Sequence, residues 1–248
     1  MKPDSLLEWA KKRTWFYAFR LPDGSTTKVD IPAEVLKIHA TREQHLERVI
    51  ERYVPRAAEL HALDLACHEG FFSMTLARHF QQVIGVEQRA ESVESARKLT
   101  ELLGLRNITY HQSRVEDLPV GEFVADFVLM FGLLYHVHDP VGMLSHVARL
   151  SRKQLCIETQ ILPFDIAGNV EDGCHLWMRP LRGLFGLVED YPQGREGGTT
   201  SFAMIPTRSG LVWLLQRLGF ASVEVIEPER NDYEQFLRGQ RIIVLASR

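Results

Sequence analysis

The chain has 248 residues, 45% of them hydrophobic and 25% charged, with a formal net charge of −3. That composition excludes a disordered tail, a collagen-like chain and a small scaffold needing disulfides or metals in place of a core. It shows no basic surplus of the kind usual in nucleic-acid binders, and its longest apolar run, 127–137, is about half the ~20 residues a membrane helix requires.

Length alone allows one or two domains. Cys67, Cys156 and Cys174 are an odd number without CxxC spacing. They argue against a disulfide framework or a zinc knuckle and for a reducing cytoplasm. The opening MKPDSLLEWAKKRTW sets charges on both sides of a very short apolar stretch, so no signal peptide is expected.

The first 58 residues hold 11 Lys/Arg against 8 Asp/Glu. Ser5–Lys12 reads as a helix. Trp15–Leu21 reads as a strand that turns at Asp23-Gly24 into Thr26–Asp30, a hairpin. Thr41 with Gln44 resembles a capping box opening a helix to about Tyr53.

From residue 60 strand and helix alternate. Strands are expected at Ala62–Ala66, Gln82–Val86, Ile108–Gln112, Phe127–Phe131 and Gln154–Thr159, with helices at Phe72–Phe80, Ala90–Leu103 and Pro140–Leu150. This rhythm implies βαβ units and a parallel sheet, with ligand chemistry at the carboxyl ends of its strands. Residues 160–206 break the rhythm with prolines, glycines and a charge of −3, yet keep large apolar anchors, and read as a loop-rich insertion. A helix at Ser209–Leu218, stopped by Gly219, and strands at Ser222–Ile226 and Arg241–Ala246 close the chain.

The central feature is His61-Ala-Leu-Asp64-Leu-Ala66-Cys-His68-Glu-Gly70-Phe-Phe72, a strand, a tight turn and a helix. Such a turn lets a ligand approach backbone closely and meet helix N–H groups. Glu87 follows Asp64 by 23 residues at the end of the next strand, where an acid can accept both hydroxyls of a ribose.

Asp64…Gly70, Glu87, Val115-Glu116-Asp117-Leu118-Pro119 and Asp126…Phe131-Gly132 together resemble class I S-adenosylmethionine-dependent methyltransferases. Phe131-Gly-Leu-Leu-Tyr135-His136-Val-His138-Asp-Pro140 and Leu155-Cys-Ile-Glu158-Thr159 are similar to the subgroup that includes the tRNA wobble-uridine carboxymethyltransferase. So are Ser201-Phe202…Ile205-Pro206-Thr207 and Trp15-Phe16…Leu21-Pro22-Asp23-Gly24. In the family's first motif Ala66 takes a glycine position.

The resemblance implies an α/β, Rossmann-like class I fold. Its mostly parallel seven-stranded sheet ends in an antiparallel hairpin. Residues 1–58 form a cover, and a methyltransferase domain spans 59–248 with a substrate-lid insertion at 160–206. It implies S-adenosylmethionine as cofactor, held by Asp64, Ala66, His68, Gly70, Glu87, Val115, Glu116, Phe131 and Gly132. Asp64 would order the turn and the methionine ammonium, the N–H groups near His68–Gly70 would face the methionine or ribose, and Val115 and Glu116 would flank the adenine. Glu116 has the alternative of a solvated loop acid.

Methyl transfer is an in-line displacement at a sulfonium, in which placement and desolvation do most of the work. A base is needed only where the acceptor must lose a proton. His136, Tyr135 and His175 are the catalytic candidates. His138 is a further candidate, with helix capping as its alternative. Trp15, Tyr17, Trp177, Met178 and Phe202 either line a planar or apolar substrate or anchor loops on the core. The His136/His138 pair has no third clustered ligand, so no metal is expected.

The function expected is methyl transfer to oxygen or nitrogen of a small, aromatic or apolar molecule, with nucleic acid and membrane set aside and a homodimer left open. One alternative is tRNA wobble-uridine modification, with S-adenosylmethionine or a carboxylated derivative met by Lys37, Arg179 or Arg182. The other is a nucleoside-binding scaffold without catalysis.

Overall fold

The computed structural model of the chain describes residues 3–166, 168–171, 178–190 and 200–248. In chain order the elements begin with α1 (Pro3–Lys12), β1 (Thr14–Trp15), β2 (Lys28–Val29), α2 (Ala33–Tyr53), β3 (His61–Leu65), α3 (Phe71–Ala77), β4 (Gln82–Glu87), α4 (Ala90–Leu102), β5 (Ile108–Gln112) and β6 (Ala125–Phe131). They continue with α5 (Pro140–Leu150), β7 (Ser151–Gln160), β8 (Gly168–Glu171), β9 (Met178–Leu181), β10 (Phe185–Glu189), β11 (Phe202–Pro206), α6 (Arg208–Arg217), β12 (Ser222–Ile226), α7 (Glu234–Leu237) and β13 (Arg241–Ser247).

The main sheet has seven strands in the order β12-β13-β7-β6-β3-β4-β5. β6, β3, β4 and β5 pair in parallel, and β7, β13 and β12 pair antiparallel. Every residue of β6 is buried, as a parallel strand covered on both faces requires. The βαβ rhythm and the closing antiparallel strands are as expected from the residue pattern.

Contacts divide the chain into two compact units. One comprises the chain up to Leu129 with Leu150–Arg152 and Asn231–Tyr233; the other comprises Met130–Arg149, Lys153–Arg230 and Glu234–Arg248.

In the first unit α2 starts at Ala33, eight residues before the expected capping box. Pro32 precedes it with φ −55°, already suited to a helix entry. Thr41 is therefore interior to the helix, and its hydroxyl accepts the Tyr233 N–H at 3.0 Å. On the same helix, buried His45 meets buried Asp232, Nε2 to Oδ2 at 2.6 Å, while an Arg48 nitrogen lies 2.7 Å from His45 Nδ1.

Only the tip of the expected N-terminal hairpin forms: around the turn at Asp23-Gly24 the Leu21 N–H donates to the Ser25 carbonyl at 2.8 Å and the Thr27 N–H to the Phe19 carbonyl at 3.0 Å. Thr14 and Trp15 pair in parallel with Lys28 and Val29, and a single antiparallel bridge joins Arg20 to Thr26. The segment between is bent because its rings turn inward. Trp15 is fully buried, and its Nε1–H donates to the Ala10 carbonyl at 2.8 Å. Tyr17 stacks on Phe71 at 4.8 Å.

In the second unit the insertion is more regular than its composition suggests. β8 pairs with β9 and β10 with β11, both antiparallel. Thr207 caps α6 by accepting the Gly210 N–H, which fits a threonine just before a helix. Asp139 caps α5 through the Gly142 N–H at 2.9 Å, so that role does not fall to His138.

Candidate functional site

The turn after β3 carries three consecutive alternate residues in left-handed backbone: Ala66 at φ 57°, His68 at 53° and Gly70 at 83°. Left-handed geometry costs an L-residue roughly 1–2 kcal/mol. Ala66 and His68 adopt it nonetheless, so the turn keeps the backbone course of a glycine-rich one. The strain is offset by bonds within the loop. The His68 N–H donates to Glu87 Oε2 at 3.1 Å, the Gly70 N–H to the Cys67 carbonyl at 2.8 Å, and the Cys67 N–H to the Val86 carbonyl at 2.9 Å. The expectation that N–H groups near His68–Gly70 face a ligand is thereby corrected for His68 and Gly70. Both point into the loop.

Glu87 is buried at the end of β4. Its other oxygen accepts the Arg89 N–H at 2.8 Å. A carboxylate offers about four acceptor positions, so two backbone bonds leave capacity for ribose hydroxyls. Asp64 is also buried, and its Oδ2 accepts the Ser73 hydroxyl at 2.6 Å. The donor set thus fits a nucleoside: a left-handed turn, a buried acid on the adjacent strand and a helix starting at Phe71.

Burial pushes the Asp64 carboxyl up to about 7, helped by the charge of Glu87 and opposed by the Ser73 hydroxyl. Unfolded, it titrates near 3.8. Between these values the folded chain holds a proton that the unfolded chain has lost. This group's contribution to stability therefore falls as pH rises from about 4 to 7, by up to roughly 1.4 kcal/mol per pH unit, and is flat outside that window. Asp64→Asn should remove that slope. Urea midpoints at pH 5 and pH 8 measure it, and an unchanged slope would show that Asp64 ionises normally.

The N-terminal segment closes over this turn. Glu69 is 1% exposed; its Oε2 accepts the Phe16 N–H at 2.9 Å and its Oε1 lies 3.6 Å from Arg13. The rings of Phe16 and Tyr17 lie 5.2 and 5.9 Å from that of His68. His39 of α2 packs under the same rings, and neither of its nitrogens has a hydrogen-bond partner among the described residues. Burial holds this imidazole down at about 3, with Arg42 and His68 adding to the effect.

The other expected residues divide as follows. Val115 is buried and Glu116 is exposed beside Arg114, at 3.3 Å. Of the two readings for Trp15, a substrate surface or a loop anchor, the structure favours the anchor, because its ring is enclosed and its N–H satisfied. Tyr17 is likewise 7% exposed and stacked. His175 and Trp177 lie outside the described residues, and Met178 is described only as the start of β9. Lys37, Arg179 and Arg182 are all exposed.

In the second unit Phe131 is buried and Gly132 follows at φ 75°. The Gly132 N–H donates to Glu158 Oε2 at 3.0 Å. Glu158 Oε1 in turn accepts from Arg241 at 2.5 Å, and the guanidinium lies 4.7 Å from the centre of the Tyr135 ring. His136 Nδ1 lies 3.0 and 3.2 Å from the two oxygens of Asp190. Phe202 is 48% exposed, 6.3 Å from the ring of His138. The sequence alone assigns no role to Glu158, Arg241 or Asp190. A lone acid ending LCIE and a lone arginine opening RIIVLAS are the signal for the first two, since charges inside apolar strands come paired.

Among the described residues no three ligating side chains cluster as a metal site would need. None of the described helices is long and apolar enough to cross a membrane.

The chain is similar to several known methyltransferases. The tRNA U34 carboxymethyltransferase of Desulfotalea psychrophila is 24% identical over 200 residues, 79% of this chain and 54% of its own. The ubiquinone biosynthesis O-methyltransferase of Actinobacillus pleuropneumoniae is 32% identical over 87 residues, 33% of this chain and 37% of its own. The chain thus spans about half the length, or less, of these relatives. Among solved structures, the N-terminal domain of EvdMO1 with SAH bound superposes with a TM-score of 0.74 at 22% identity, over 100% of this chain and 97% of that one. A family model described as a methyltransferase domain matches residues 57–192, more than half of the chain. The chain belongs to that methyltransferase domain family.

Proposed function

We propose that the chain transfers the methyl group of S-adenosylmethionine to an oxygen or nitrogen of a small molecule. The observation that carries this is the left-handed turn at Ala66, His68 and Gly70 bonded to buried Glu87. Glu87 would accept the ribose hydroxyls, Asp64 would order the turn and the ammonium end, and Val115 and Glu116 would flank the adenine. Phe131 and Gly132 would serve the methyl end, since ligands of open α/β sheets bind beyond the carboxyl ends of the strands. Bound S-adenosylmethionine supplies an activated methyl group on a good leaving sulfide. The protein's part is to orient the acceptor, exclude water and take up a proton where one is released. His136 is the base in this reading, and Phe202 gives the acceptor an apolar surface. Residues 1–58 act as a cover, fastened through Glu69.

The small-molecule reading is favoured by the net charge of −3 and by the acidic insertion. The similarity to tRNA U34 carboxymethyltransferases supports a second reading, in which a tRNA wobble uridine is the acceptor. One experiment separates them. S-adenosylmethionine is titrated calorimetrically, and label from its methyl group is then followed into a phenol, a catechol, a hexose and bulk tRNA. Saturable binding below about 1 mM with label in a small molecule is expected. No binding removes the methyl-transfer reading. Label in tRNA alone, declining steeply with salt as phosphate contacts require, replaces the small molecule by RNA.

A further inference from the structure

We infer that Asp190 is the positioning residue for His136, and that the pair selects an acceptor whose nucleophile is a hydroxyl. This rests on the methyl-transfer reading above.

Both partners are tied down. The His136 N–H donates to the Leu133 carbonyl at 2.9 Å, which fixes the tight helical turn Leu134–His136. Asp190 follows β10, and its N–H donates to the Ser201 carbonyl at 3.0 Å, one residue beyond the Glu189↔Phe202 pair of the hairpin. A third bond, from the Met204 N–H to the Val137 carbonyl at 3.0 Å, joins that hairpin to the residue after His136. The carboxylate is therefore held against Nδ1 by backbone on both sides. The side chains are 21% and 10% exposed, so the contact is largely shielded while part of the His136 side chain stays accessible.

An ionised carboxylate only accepts hydrogen bonds. The neutral ring must then carry its proton on Nδ1, which leaves the Nε2 lone pair as the base. A carboxylate in this position also balances the imidazolium formed when Nε2 takes a proton. Such a device serves an acceptor that still holds its proton at neutral pH. An alcohol or phenol fits; a carboxylate or a neutral amine lone pair attacks without it. In the step, the acceptor oxygen forms a bond to the methyl carbon, and the carbon–sulfur bond breaks with its electron pair left on sulfur. The hydroxyl proton passes to Nε2. The products are a methyl ether, a neutral thioether and an imidazolium facing Asp190. The imidazolium returns its proton to solvent.

The test reads the ring and the reaction separately. Nitrogen-15 spectra of the histidine rings, with the His136→Gln variant supplying the assignment, should show wild-type His136 as one neutral tautomer protonated on Nδ1. The isosteric Asp190→Asn should shift that population several-fold. The same variant should lower kcat about 100-fold on the phenol or hexose that accepts label, with KM and S-adenosylmethionine affinity unchanged. A wild-type proton on Nε2 overturns the inference. So does an Asp190→Asn variant that keeps both tautomer and kcat, or one whose loss lies in KM or folding alone. Failure of the wild type to bind S-adenosylmethionine overturns the methyl-transfer reading instead, and is seen independently of the ring's tautomer.

Discussion

Glu158→Gln is expected to destabilise the fold by about 3–5 kcal/mol, the range for breaking one half of a buried ion pair. Glu158 is fully buried and Arg241 is 4% exposed. Glutamine keeps a carbonyl for the Gly132 N–H but removes the negative charge facing the guanidinium. Desolvation of Arg241 is then no longer offset by this charge, while its packing on Tyr135 and its 2.9 Å bond to Gln235 are kept. Urea denaturation of wild type and variant gives the number. A double variant, Glu158→Leu with Arg241→Met, should recover most of the loss, because replacing both charges by apolar groups of similar volume is often neutral. If the single variant costs less than about 1 kcal/mol, the pair is solvated in solution. The acid also holds the backbone at Gly132, so methyl transfer should fall even where the double variant restores stability.

Gly70→Ala should cost about 2–4 kcal/mol and weaken S-adenosylmethionine binding at least tenfold. Two separate terms contribute. The residue sits at φ +83°, where any L side chain is strained. A methyl group there would also lie 2.5 Å from the Tyr110 hydroxyl. That hydroxyl cannot simply swing away. It sits at the end of a rigid ring bonded to Thr100 at 3.0 Å and wedged against Gly85, whose own added methyl would meet the same ring at 2.7 Å. A double-mutant cycle with Tyr110→Leu separates the terms. The collision should vanish in the double variant and the backbone strain should stay. Additive losses would mean that the two residues do not touch.

The main sheet was legible because its signals are local. The six strands and α-helices from His61 to Phe131 follow apolar runs and helical spacings bounded by turns, and the structure moves their ends by at most three residues. The N-terminal segment misled for an equally physical reason. Alternating aromatics in WFYAFRL suit a strand, but His39, His68 and Phe71 offer those rings a better surface than a partner strand does. Thr41 and Gln44 imitate a helix start inside a helix, since a capping box is only a spacing until the backbone ends there. The insertion hid its hairpins because prolines and glycines mask short strands.

Residue order alone therefore established the sheet, the strand–turn–helix at Asp64–Gly70, the acid at Glu87 and the resemblance to methyltransferases. All of these rest on periodicity and short spacing. Folding decided which charges meet. Glu158 finds Arg241 across 83 positions and His136 finds Asp190 across 54. A local pattern marks a charge inside an apolar strand but not its partner, because desolvation in a core formed by distant strands decides which charges meet. Folding likewise decided that Ala66 and His68 would take left-handed backbone. The bonds to Glu87 and within the loop outweigh a strain that their side chains, read one at a time, would be expected to avoid.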